Sequence, residues 1–182
     1  MEEEQPSDDK GKLARRLAWW VGVLAGLAGI AGLILSELSR DEITVAEWTQ
    51  EANAVCDDQY GPVIESYRLV RERLPMVNPS GPANEKDKAA ATALEGLAAN
   101  QRKLSGGLGK IRLPDSHRET IKSMLEALND ASDEDYELAD NLRLDEFNSK
   151  RYEEYAKLRN ALAKQVIDAW TKLNLTHCLP GE

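Results

Sequence analysis

Two cysteines, Cys56 and Cys178, are the residues of this 182-residue chain best suited to covalent chemistry. A redox-active pair typically has a CxxC spacing, and these two cysteines lie far apart in the sequence. An even number of cysteines in an oxidising compartment is typical of a structural disulfide. The sequence therefore predicts a Cys56–Cys178 disulfide, with both residues on the outer side of a membrane.

The stretch DASDEDYELAD, residues 130–140, is the second candidate because carboxylates bind hard cations. On a helix, Asp130, Asp133, Glu134 and Glu137 share one face. Their spacing matches no EF-hand loop, and a continuous helix cannot wrap a calcium ion. We predict a solvated acidic face, with cation binding as the alternative.

The two histidines, His117 and His177, have no second histidine or glutamate at metal-ligand spacing. The sequence contains no GxSxG, P-loop, HExxH or Rossmann glycine pattern. It therefore predicts no catalytic residue, no cofactor and no metal centre. With a net charge of -9, the chain also lacks the clustered basic face that nucleic acid requires, so nucleic-acid binding is excluded.

Two amides, Asn53 and Gln101, occupy positions where polar side chains need an explanation. Gln101 interrupts an apolar stripe, and Asn53 precedes Cys56 by one helical turn. A buried amide requires hydrogen-bond partners. We predict structural roles for both, with Asn53 bonding carbonyl groups of the tail near Cys178. The alternative is a polar patch inside a ligand pocket.

Residues 17–36 contain no charged side chain and provide the roughly 20 apolar positions that a transmembrane helix needs. A cleaved secretory signal has a shorter apolar region and then turns polar. Gly29-Ile30-Ala31 resembles a cleavage site, yet the apolar run continues beyond it. We predict an uncleaved anchor, with a cleaved signal as the alternative.

Basic residues set the predicted orientation of this span. Four of them precede it, and Arg40 alone follows it closely. Because positive charge stays inside, residues 1–16 are predicted to form a disordered cytoplasmic tail. Residues 37–43 are then a linker, and residues 44–182 form the domain outside the cell membrane.

Gly22, Gly26 and Gly29 lie on one face of the predicted span. Small-residue stripes of this kind let two helices approach closely, which favours self-association in the membrane. The alternative is that glycine is simply common in such spans.

After the linker, four segments repeat apolar residues every three to four positions, as amphipathic helices do. Thr44 with Glu47, and Ser116 with Glu119, form capping boxes that predict the starts of the first and third helices. Pro62 predicts a kink in the first helix. The first stripe comprises Val45, Trp48, Ala52, Val55, Cys56, Val63, Tyr67, Val70 and Leu74, and the last comprises Phe147, Tyr155, Leu158, Leu162, Val166, Ala169, Trp170 and Leu173.

Four such helices joined by short connections bury their apolar faces best in an antiparallel bundle. The predicted fold is therefore all-α, with an N-terminal transmembrane helix followed by an antiparallel four-helix bundle. In that topology the fourth helix ends beside the start of the first, which brings Cys178 to Cys56. Closing so long a loop is expected to stabilise the fold by about 4–5 kcal/mol.

The segments WTQEANAVC (residues 48–56) and NLTHC (residues 174–178) resemble a set of actinobacterial helical proteins that are membrane-anchored or secreted. Those proteins carry Trp, then Ala-Asn, then Cys on the first helix and a partner cysteine after the last. The resemblance implies a disulfide-tied helical bundle and brings no catalytic residue to any position.

These observations favour a membrane-anchored extracytoplasmic interaction module that binds another envelope protein or a ligand. The alternative is a sensory input domain that acts through a partner protein, because a tail of 16 residues has no room for an output domain. An enzyme is disfavoured because no acid, base, nucleophile or metal constellation is present.

Overall fold

The computed structural model describes residues 43–77, 84–144 and 147–179. The predicted tail and span, and with them Gly22, Gly26 and Gly29, lie outside the described residues. Within the described ranges, no helix is both long enough and apolar enough to cross a membrane.

Four helices dominate the described residues, and no strand occurs among them. They are α1 (Val45–Arg73), α2 (Glu85–Leu108), α3 (Arg118–Arg143) and α4 (Ser149–Lys172). Three short 3-10 turns accompany them, at Leu74–Met76, Asp115–His117 and Thr176–Cys178. The all-α prediction is confirmed.

Of the two predicted capping boxes, only the one at the start of α1 is present. At α1, the Thr44 hydroxyl accepts a hydrogen bond from the Glu47 N–H, and Glu47 bonds back to the Thr44 N–H at 2.9 Å. The predicted box at Ser116 is wrong. A 3-10 turn occupies Asp115–His117, and His117 is the N-cap of α3 without a side-chain cap.

The helices that adjoin in sequence pack against one another in antiparallel pairs. Near the end of α1, Arg73 donates to the carbonyl of Ala89 near the start of α2, at 3.1 Å. Between α3 and α4, Gln165 donates to the Ser123 hydroxyl at 2.8 Å, although the two residues lie 42 positions apart. Short connections and these pairings produce an up-down-up-down bundle with its own apolar core.

Helix α1 runs through Pro62 as one continuous element. The carbonyl of Pro62 accepts a hydrogen bond from the Asn100 side chain of α2 at 3.3 Å. Two positions of the predicted stripes are not core residues, because Tyr67 is 48% exposed and Leu158 is 41% exposed.

The predicted disulfide joins Cys56 of α1 to Cys178 of the tail, with Cα atoms 5.2 Å apart across a separation of 122 residues. Asn174 adopts a positive φ of 55°, a conformation that Asn tolerates, and this reverses the chain after α4. The tail then lies along α1, where Thr49 donates to the carbonyl of Leu173 at 3.0 Å. The disulfide therefore closes the bundle between its first helix and its last residues.

Candidate functional site

An apolar groove runs between α1 and α4, the two helices that close the ring of the bundle. These helices stay farther apart than the three pairs that adjoin in sequence. The gap holds a volume of about 310 Å³, at the lower end of the range for small-molecule pockets. The groove is lined by Tyr60, Val63, Ile64, Tyr67, Leu97, Gln101, Leu128, Ala131, Arg159, Ala163, Val166, Ile167 and Trp170.

The groove has a buried floor and an exposed rim. Leu97 of α2 and Leu128 of α3 form the floor, and both are buried in the core. Ile64, Tyr67 and Ile167 form the rim and are 41%, 48% and 43% exposed. Large apolar side chains so exposed beside a concave apolar surface are typical of binding sites.

Gln101 is the polar side chain on this floor, and it is only 3% exposed. Its Oε1 atom is buried and accepts no hydrogen bond from any described residue. A buried acceptor without a donor is costly, since it loses water and gains nothing in return. Gln101 therefore lines the groove while keeping one buried acceptor that no described residue satisfies.

Asp135 lies behind the floor and is fully buried on α3. One carboxylate oxygen accepts hydrogen bonds from the Tyr155 hydroxyl at 2.7 Å and from Arg159 Nε at 3.1 Å. The other oxygen has no partner in the described part of the chain. Burial raises the pKa of Asp135, while the charge of Arg159 and the hydrogen bonds from Tyr155 and Arg159 act in the opposite direction.

Trp170 lines the groove toward the C-terminal end of α4. Its ring meets that of Tyr60 edge to face, with centroids 5.3 Å apart. The buried indole Nε1 has no acceptor within the described ranges.

A wider depression of about 760 Å³ lies where the tail crosses α1. Here Asn53 accepts a hydrogen bond from the backbone N–H of His177 at 3.2 Å. The amide thus contacts the tail through an N–H and not through the carbonyl groups that the sequence suggested. His177 Nδ1 also lies 2.8 Å from Asp57 Oδ1, and both side chains are about half exposed or more.

Arginines neutralise much of the acidic face of α3. Asp133 pairs with Arg102 of α2, while Glu134 and Glu137 both pair with Arg151 of α4, at 3.3 and 2.7 Å. No three potential metal ligands come together anywhere in the described ranges. The face is thus engaged in ion pairs between helices.

Asp135 is one of several buried polar residues that the sequence did not predict, together with Asp87, Ser105 and Ser132. It belongs to the acidic run of residues 130–140, yet it falls between Ala131 and Leu138 at the spacing of the apolar stripe. That spacing was the available signal. The buried pair with Arg159 depends on the approach of α4 and could not be read from α3 alone.

No protein-family model, curated protein sequence or solved structure matches this chain.

Proposed function

We propose that the protein is a membrane-anchored binding module whose helical bundle holds a small, mainly apolar ligand in the α1–α4 groove. The observation that carries the proposal is the open seam between these helices, with Gln101 Oε1 buried in its floor and without a partner among the described residues. A bundle that served only as a spacer would gain stability by closing this seam over its apolar floor.

Anchoring rests on the sequence of residues 17–36, which has the length and apolarity of a transmembrane helix. With the bundle outside the membrane, the groove would sample ligands of the envelope. Transfer of information would then require a partner protein, as in the sensory alternative.

The test compares a substitution that fills the groove with a control substitution outside it. Ala163 of α4 lines the groove, whereas Ala161 on the same helix is exposed and does not line it. Ala163→Trp should occupy the volume that a ligand needs, and Ala161→Trp adds the same side chain outside it.

Binding of an uncharged fluorescent dye, N-phenylnaphthylamine, is measured by titration of residues 43–182. One dye per wild-type domain is expected, with affinity lowered at least tenfold by Ala163→Trp and unchanged by Ala161→Trp. Equal dye binding by all three proteins would overturn the groove as the site.

A second candidate, docking of a helix from another envelope protein, is favoured by the exposed rim of Ile64, Tyr67 and Ile167. Recognition of this kind uses apolar anchors spaced along one helix face. Crosslinking of the full chain in membranes tests it, followed by co-purification with wild type and with Ile167→Glu. A partner that is lost in Ile167→Glu, together with an unaltered dye affinity, would favour protein docking over small-ligand binding.

A further inference from the structure

Two arginines at one end of the groove restrict the class of ligand, and this step rests on the proposed function. We infer that the ligand is a single-chain amphiphile with an anionic head, such as a long-chain carboxylate. Its head lies at Arg159 and Arg71, and its apolar chain extends along the groove toward Trp170. The inference depends on the free donors of Arg159, on the charge of Arg71 and on the dimensions of the groove.

Arg159 brings unused hydrogen-bond donors to a mainly apolar surface. The residue lines the groove, and its side chain is 16% exposed. Its Nε donates to Asp135 at 3.1 Å, whereas Nη1 and Nη2 make no hydrogen bond within the described ranges and are not sealed from solvent. A guanidinium binds a carboxylate through two parallel N–H···O bonds. Arg159 can therefore hold an anionic head while it remains bonded to Asp135.

Arg71 adds a second positive charge beside the same part of the groove. It follows Ile64 and Tyr67 at helical spacing, and the three residues share a depression of about 440 Å³ that adjoins the groove. Arg68 of this depression is engaged by Glu65 and Glu72, at 2.6 and 2.5 Å. Arg71 is exposed and forms no ion pair with any described residue. Its charge is thus available to a ligand.

The two arginines lie together because α1 and α4 run antiparallel. At the other end of the groove the ring of Tyr60 contacts that of Trp170. Arg71 follows Tyr60 and Arg159 precedes Trp170 by the same number of residues, which corresponds to roughly 16 Å along each helix. The side chains between these ends are mainly apolar, as with Val166 and Ile167.

The dimensions of the groove indicate one chain. Its volume of about 310 Å³ is small for a ligand pocket, so it accommodates a single alkyl chain and not the two chains of a diacyl lipid. A dodecyl chain has about the length of the groove.

The charges at this end favour an anion over other heads. Burial raises the pKa of Asp135, which weakens the opposition of this carboxylate to a second acid. An ammonium head would face Arg159 and Arg71. An ester head would replace a charge-assisted hydrogen bond by a weaker neutral one.

The test uses the full chain in vesicles of neutral phosphatidylcholine, at a mildly alkaline pH that keeps carboxylates ionised. Three photoreactive probes share one dodecyl chain with a diazirine at its far end, and their heads are carboxylate, methyl ester and primary ammonium. After illumination, mass spectrometry locates the label in the protein. Labelling of the lipid in the same sample corrects for the different partition of each probe into the membrane.

The carboxylate probe should label the groove about tenfold more than the ester or the ammonium, the ratio expected for a charge-assisted hydrogen bond. Because the head lies at the arginines, its label should concentrate on Tyr60, Ile167 and Trp170 at the opposite end.

Substitutions of single charges test the position of the head. Arg71→Gln should lower carboxylate labelling severalfold and leave ester labelling unchanged. Lys164→Gln is the matched control, since it removes the same charge from an exposed residue of α4 that does not line the groove, and it should behave as wild type. Arg159→Lys keeps a charge beside Asp135 without the planar fork, and it should abolish the preference for carboxylate. Circular dichroism checks the folding of each variant.

The outcomes separate the two proposals. Ester or ammonium labelling equal to that of the carboxylate in wild type would overturn the ligand class while the binding site stands, whatever the folding of Arg159→Lys. Equal losses in Arg71→Gln and Lys164→Gln would also overturn it, because attraction would then be a property of the whole surface. Labelling of the groove no greater than that of outward-facing α3 residues, for every probe, would instead overturn the proposed function.

Discussion

At the scale of single residues, the most informative side chains are polar ones in the core. Asp135 and Gln101 lie behind and within the floor of the groove, at 0% and 3% exposure. Each retains one oxygen without a hydrogen-bond donor in the described part of the bundle. Such groups lower stability, because they lose water without gaining a full set of protein partners.

The pH dependence of stability should reveal the buried state of Asp135. Because burial raises its pKa above the ordinary value of 3.8, the folded state binds a proton more tightly than the unfolded state. Its contribution to the free energy of unfolding should therefore fall as the pH rises from 3.8 through the folded pKa. Asp135→Asn removes this titration.

Denaturant melts of both proteins at a series of pH values check this expectation. The difference in unfolding free energy, wild type minus variant, should decrease with rising pH across that window and then level off. A difference that increases with pH would mean that Arg159 outweighs burial and that the folded pKa is depressed.

At the scale of elements, two neighbouring glycines near the end of α2 have opposite surroundings. A Cβ on Gly107 would lie 2.8 Å from Val55 Cγ1 and 2.9 Å from Gln59 Oε1, both on α1. A Cβ on Gly106 would meet nothing within 4 Å. Gly107 thus allows α1 and α2 to approach closely. Gly106 makes no such contact, and its only effect is to lower the stability of the helix relative to alanine.

Alanine at each position should separate these roles. Gly106→Ala should leave stability unchanged or raise it by up to about 1 kcal/mol, the difference in helix propensity. Gly107→Ala should lower stability by about 1–3 kcal/mol, as overpacking does. Thermal and denaturant unfolding of residues 43–182 measure both, and similar gains in both variants would contradict the close approach.

At the scale of the whole molecule, the Cys56–Cys178 disulfide ties the end of the chain to the first helix across 122 residues. Cys178→Ser should lower the free energy of unfolding by about 2–5 kcal/mol and leave the bundle helical. A reductant should weaken wild type by the same amount and should not affect the variant. Two free thiols in freshly purified, unreduced protein would contradict the disulfide.

The predicted anchor is tested on the native protein. Mature protein should begin before Leu17 and should fractionate with membranes, because the apolar run of residues 17–36 is long enough to span. Protease added to intact cells should remove the bundle and spare the N-terminal tail. An intact mass with an N-terminus near Gly32 would favour the cleaved signal instead.

The apolar periodicity of the sequence is enough to predict the helices and their order in the bundle. It predicted four amphipathic helices, and the bundle topology that follows brings Cys178 to Cys56. The Thr44–Glu47 capping box was predicted equally well, since its contacts lie within one turn. The Ser116 box was not, because a 3-10 turn after Pro114 shifts the start of α3 to Arg118.

The groove was decided by tertiary structure alone. Tyr67 and Leu158 fit the apolar stripes, and their spacing could not reveal that α1 and α4 remain farther apart than the other pairs. Periodicity reports which face of a helix is apolar, but the distance between two faces depends on how the remaining helices pack. For the same reason Asp135 resembles a surface acid in the sequence and becomes a buried partner of Arg159 in the fold.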